Sequence, residues 1–171
     1  MSSASASALV AALRRDVSPA VPCPEAVVLA QGLLHSPTPW PAGMPRRSID
    51  GSPFRNAWRV ARTATGLTYT EGFALRAVPA GVVHHAWCVD PAGRALDPTW
   101  PDGRGLAYLG LPMTTDWVES VRRRTCTRTA FVGILDEGVQ RSRDAERVLT
   151  FGVPGAALVR VGTPVTRPPA V

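Results

Sequence analysis

An α+β fold, with a helix packed on an antiparallel sheet, is predicted by three features of the sequence. Phe54, Ala57, Trp58, Ala61 and Ala64 recur at the spacing that draws one apolar stripe along a helix. Two stretches that follow, Leu67–Arg76 and Val82–Val89, have the length and composition of strands. Asp90-Pro91-Ala92-Gly93 then joins Val82–Val89 to a third strand, Arg94–Pro98, because Pro-Ala followed by Gly suits a type I turn closed by a left-handed glycine.

The remaining elements follow in chain order. Residues 1–8 are a Ser/Ala run expected to be disordered, and Ala8–Arg15 is expected as a short helix. Glu25–His35 (EAVVLAQGLLH) is expected as a second helix. Ser36–Ser52 is a long loop carrying Pro37, Pro39, Pro41 and Pro45, and a loop of this length inside a domain usually covers something functional. The striped helix is expected over residues 53–65. Ser52 is suited to the N-cap, Pro53 to the first helical position, and Gly66 to a left-handed C-cap. Arg55, Arg59 and Arg62 fall on its other face. The strand Leu67–Arg76 places Leu67, Tyr69, Glu71, Phe73 and Leu75 on one side. A helix at Thr115–Arg124, a strand at Ala130–Leu135, a short helix near Arg143–Leu149 and one or two strands up to about Val161 complete a single domain from residue 9 to 161. Residues 162–171 form a loose tail.

Composition limits the function classes. With 171 residues and 45% hydrophobic side chains, one domain can bury a core, while 15 Gly and 17 Pro favour turns over a helical bundle. The net charge of +6 comes entirely from arginine, with no lysine, as in a GC-rich genome. The arginines are scattered and no aromatic residues interleave with them, so nucleic-acid binding is disfavoured. Cys23, Cys88 and Cys126 form no CxxC pair, which argues against a zinc knuckle or a disulfide framework and for a reducing interior. His35, His84 and His85 lack metal-ligand spacing, and no cofactor is indicated. Met1–Ala8 lacks the basic start and apolar stretch of a signal peptide, and no segment approaches the ~18 apolar residues of a membrane span. A cytoplasmic location is expected.

The hairpin loop sets a register. If Asp90 pairs with Arg94, then Val89 lies opposite Ala95, Trp87 opposite Asp97 and His85 opposite Thr99. His85, Trp87, Asp97 and Thr99 then share one face, with His85 and Asp97 as diagonal neighbours whose side chains can hydrogen-bond. A carboxylate holding one imidazole nitrogen fixes the tautomer and leaves the other as a base.

The string HAWCVDPAGRALDPTW, His85 to Trp100, resembles the His and Asp motifs of transglutaminase-like proteins. Gly51 to Ala74 resembles the nucleophile helix of that family followed by a strand. Tyr69-Thr70-Glu71-Gly72 and Tyr108-Leu109-Gly110-Leu111-Pro112 resemble motifs of small bacterial and phage proteins that share the His-Ala-Trp…Asp-Pro-Thr-Trp hairpin and a Cys-[Phe/Tyr]-x-Asn-Ala helix. The resemblance covers residues 51–112, about a third of the chain. It implies a transglutaminase/papain-like core, a cleft at the helix N-terminus facing His85 and Asp97, and a thiolate at that helix start.

Position 53 is proline, which satisfies a helix start but offers no nucleophile. The expectation is therefore a catalytically degenerate member that keeps a remnant His85–Asp97 pair and serves as a binding or accessory protein for a protein or peptide partner. The alternative is an active amidase, protease, deamidase or transglutaminase using Ser52 or a loop-borne cysteine such as Cys23. Asn56, Glu71, Trp87 and Trp100 are expected to line the cleft. Each also has a plainer reading: Trp87 and Trp100 as core aromatics, Glu71 as a hydrogen-bonded interior group, and His85–Asp97 as a structural pair. Cys88 and His84 fall on the opposite strand face, Cys88 as a small core residue.

Overall fold

A computed structural model describes residues 2–18, 21–44, 52–125, 131, 133–135 and 143–165. Helix α1 spans Ser3–Asp16, with Ser2 accepting from the Ser5 amide at 3.1 Å as its N-cap. The Ser/Ala run expected to be disordered is thus helical. Alanine favours the helix, and Ala6, Leu9, Val10 and Leu13 give it one buried face. Helix α2, Pro24–Gln31, stops four residues short of the expected helix end. Gly32 ends it, and Leu33–Pro37 turns into strand β1.

Helix α3 covers Pro53–Thr63, with Pro53 at its first position and Gly66 in the left-handed region at φ 82° beyond its end. Ser52 holds the N-cap position and its carbonyl accepts from the Asn56 amide at 3.0 Å, but its side chain makes no capping bond. Strands β2 (Thr68–Arg76), β3 (Gly81–Val89) and β4 (Arg94–Leu96) lie where the sequence predicts strands. β5 (Gly105–Met113) contains the Tyr-x-Gly-x-Pro motif and is a strand beyond those expected from the sequence. Helices α4 (Thr115–Thr125) and α5 (Arg143–Phe151), a 3-10 turn at Gly155–Ala157 and β6 (Thr163–Pro164) follow. The expected strand at 130–135 is absent among its described residues, and β6 falls just beyond the strands expected before Val161, in the segment taken for tail. Residues 166–171 lie outside the described residues.

The strand order is β4-β3-β2-β5-β1-β6, antiparallel throughout except that β1 also pairs in parallel with β4, Ser36 opposite Arg94 and Pro37 opposite Ala95. That extra pairing closes the ladder β4-β3-β2-β5-β1 on itself. Its outer face carries Tyr69, Phe73, Ala86, Cys88, Leu109 and Leu111 and packs with α1, α2 and α3 into the main core. Its inner face carries a second, smaller cluster: Ala74, Trp87, Val89, Ala95 and Tyr108. Gly110 makes room for Trp87, since a Cβ there would lie 2.6 Å from its ring, and Gly72, opposite it on β2, lets β2 and β5 approach, since a Cβ on it would collide with the Leu109 carbonyl oxygen.

Candidate functional site

The Asp90–Arg94 turn sets the site. The Asp90 carbonyl accepts from Gly93 N at 2.9 Å, and Gly93 sits at φ 76° as the predicted turn requires. The Asp90 carboxylate also accepts from Ala92 N, Arg94 N and Arg94 Nε at 2.7–3.0 Å. Val89 then lies opposite Ala95 and Cys88 opposite Leu96, in the predicted register. The ladder ends there, so the expected pairings of Trp87 with Asp97 and His85 with Thr99 do not form. Asp97 instead begins a turn in which its Oδ1 accepts from Thr99 N at 2.8 Å and Trp100 N at 2.9 Å.

This turn aims Asp97 Oδ2 at two donors, His85 Nε2 at 2.7 Å and the Tyr108 hydroxyl at 3.0 Å. Burial works to raise the Asp97 carboxyl, but His85 and the two amides outweigh it and hold the group below the usual carboxylate range. The ionised carboxylate requires a proton on His85 Nε2, leaving Nδ1 as the acceptor. Nδ1 makes no hydrogen bond among the described residues. Trp100 stacks on the imidazole at 3.9 Å between ring centroids, and His85 is 1% exposed.

Strand alternation separates His85 from the helix. Cys88, on the outer face of β3, donates its thiol to the Ala57 carbonyl of α3 at 3.3 Å, so α3 covers His84, Ala86 and Cys88. His85 and Trp87 point to the inner face, with Trp87 and Tyr108 4.9 Å apart. The expected cleft with α3 facing His85 directly is therefore corrected. α3 reaches the pair around the edge of β3, where β4 pairs only Cys88 and Val89, through Asn56 Nδ2 donating to Thr99 Oγ1 at 3.1 Å. Asn56 is 2% exposed and supports the Asp97 turn. The imidazole that lies against the helix start is His84, 4.9 Å from the Phe54 ring.

The other predicted residues are dispersed. Glu71 lines no cleft with His85. It sits on the outer face, fully buried, and accepts from the Tyr69 hydroxyl, Ile134 N, Leu135 N and His84 Nε2 at 2.7–3.2 Å. Cys23 is the N-cap residue of α2, and burial foremost raises its thiol above the ordinary value, the opposite of an activated nucleophile. Burial likewise pushes the Cys88 thiol up. Cys126 lies outside the described residues. Among the described residues no cluster of His, Cys, Asp or Glu is placed to hold a metal ion, and no helix is long and apolar enough to cross a membrane.

Two features escaped the sequence. His35, expected within a helix, is on β1, fully buried, with Nε2 donating to the Val161 carbonyl at 3.0 Å and its ring edge-on to Trp87 at 5.9 Å. Burial lowers its pKa to about 4, although the Val161 bond works the other way. The arginines are also less scattered than they look. Arg62 and Arg122 lie over the Trp58 ring at 4.8 and 4.4 Å. Arg62 follows Trp58 by one helical turn and so lies beside it, not on the opposite face as expected, while the approach of α4 that brings Arg122 is non-local.

No family model, curated protein or solved structure matches the chain. The transglutaminase-like resemblance rests on the motifs in residues 51–112.

Proposed function

We propose that the protein is a catalytically degenerate relative of transglutaminase/papain-like hydrolases and works as a binding or accessory protein. The observation that carries this reading is Pro53 at the first position of α3, where a thiolate would be stabilised by the helix dipole, in a chain that still has a His85–Asp97 pair on the inner face of β3. The burial of that pair supports it. His85 lies beneath Trp100 and spends Nε2 on Asp97, while Asp97 also holds Tyr108, Thr99 and Trp100, so the dyad welds the β4 turn to the inner cluster. For binding, a groove of about 470 Å³ runs between Thr38–Met44 and Ala64–Leu67, with an apolar floor at Leu67 and Leu96 and the Asp90–Arg94 ion pair beside it.

A second reading, acyl transfer by Ser52, draws on the absence of a capping bond from the Ser52 side chain. An assay separates the two. The purified protein, given ester and amide acyl donors with a primary amine, is expected to release no product above the uncatalysed rate. Turnover abolished by Ser52→Ala and by His85→Ala would establish the second reading instead.

A further inference from the structure

The chain holds two histidine–carboxylate pairs, one on each face of β3, and they differ in access. His85–Asp97 is sealed. His84 retains 27% of its side-chain exposure while its partner Glu71 has none. Glu71 is held rigidly: Tyr69 Oη donates to Oε2 at 2.7 Å, Leu135 N to Oε1 at 2.7 Å, and Ile134 N reaches both oxygens. Gly133, at φ 112°, lets this segment close in, since a Cβ there would lie 2.7 Å from Oε1. A buried carboxylate with this many donors orients the imidazole that joins them. His84 Nε2 meets Glu71 Oε1 at 3.2 Å, and the ring is held by Phe54 at 4.9 Å and Phe73 at 5.5 Å.

We propose that His84, oriented by Glu71, is the proton-accepting group at the start of α3, and that a thiol, hydroxyl or amine brought to that helix start meets His84 and not His85. The geometry leaves Nδ1 of His84 as the acceptor, with no hydrogen bond among the described residues. Phe54 follows Pro53 directly, so the ring against His84 belongs to the residue beside the emptied nucleophile position. The inference rests on the reading of Pro53 as that position. A thiol placed there gives its proton to Nδ1 of His84, forming a thiolate and an imidazolium; no bond is made and no co-reactant is consumed.

Two measurements test this. Diethyl pyrocarbonate is applied to the wild-type protein and the labelled histidines are mapped by peptide mass spectrometry. His84 is expected to react at least about tenfold faster than His35 or His85, because its side chain is 27% exposed while the other two residues are almost wholly buried. His85 reacting as fast as His84 would overturn the proposal. In the Pro53→Cys variant, the pH dependence of iodoacetamide alkylation is expected to show a thiol pKa lowered below about 7, returning towards ~8.5 in Pro53→Cys/His84→Gln. An unchanged profile in the double variant would also overturn it. Acyl turnover by the wild-type protein would instead remove the reading of Pro53 and leave the labelling pattern of His84 intact, so the two failures are distinct.

Discussion

Trp100 lies flat on His85, its ring 16° from the imidazole plane at 3.9 Å, while its backbone amide donates to the carboxylate that holds the same imidazole. One residue thus both fixes Asp97 and covers its partner. Trp100→Ala is expected to lower stability by about 2 kcal/mol, less than for a fully buried tryptophan, and to raise the labelling rate of His85. Thermal unfolding and histidine mapping read the two effects; unchanged protection of His85 would contradict the cover.

Asp97 gathers His85, Tyr108 and the Thr99 and Trp100 amides at 2.7–3.0 Å. Asp97→Ala strands these buried donors and is expected to cost about 3–5 kcal/mol in urea unfolding. Because Tyr108 acts through the same carboxylate, Tyr108→Phe should cost less in the Asp97→Ala background than alone. Full additivity would mean that the two do not share the network.

Gly110 faces the Trp87 ring with no room for a methyl group, and the Glu71 carbonyl lies 2.7 Å from where a Cβ would sit. Backbone on one side and a buried indole on the other leave little to yield. Gly110→Ala is expected to destabilise the protein by about 3 kcal/mol or to prevent folding. A variant as stable as the wild type would refute the inner packing of Trp87.

His35 predicts an acid sensitivity with a definite window. An unfolded imidazole takes up its proton near pH 6.5, whereas His35 in the fold stays neutral down to about 4. Between these values the unfolded chain binds the extra proton, so stability falls as pH drops, by about 3 kcal/mol across the window. Asp97, whose carboxyl is held low, loses its contribution only below that window, as pH falls through its folded value. The urea midpoint of His35→Gln should therefore change less between pH 7 and pH 4.5 than that of the wild type. Equal changes would assign the sensitivity elsewhere.

The sequence was most legible where structure is local. The stripe from Phe54 to Ala61 and the proline at position 53 determine α3, and the Asp90–Gly93 turn determines the register of Val89 against Ala95. The approach of His85 to Asp97 followed, although by a turn and not by a continued strand. What stayed hidden is non-local. Leu33 and Leu34 look like the end of a helix because a short apolar run has no period of its own, and only pairing with β5 and β6 makes them strand. The closure of β1 on β4 puts His85 inside and α3 outside, which alternation along β3 alone does not reveal. Glu71 showed as a charge on an apolar face, but its partners at Ile134 and Leu135 lie 63 and 64 residues away.

The central claim is that no side chain at the start of α3 forms a covalent acyl intermediate. Intact-protein mass spectrometry after incubation with an excess of an activated ester, quenched in acid, measures this directly. The predicted result is an unmodified mass, with any slow adduct confined to exposed histidine. An acyl group that appears at once on Ser52, whether it is lost in His84→Gln or in His85→Ala, would contradict the account.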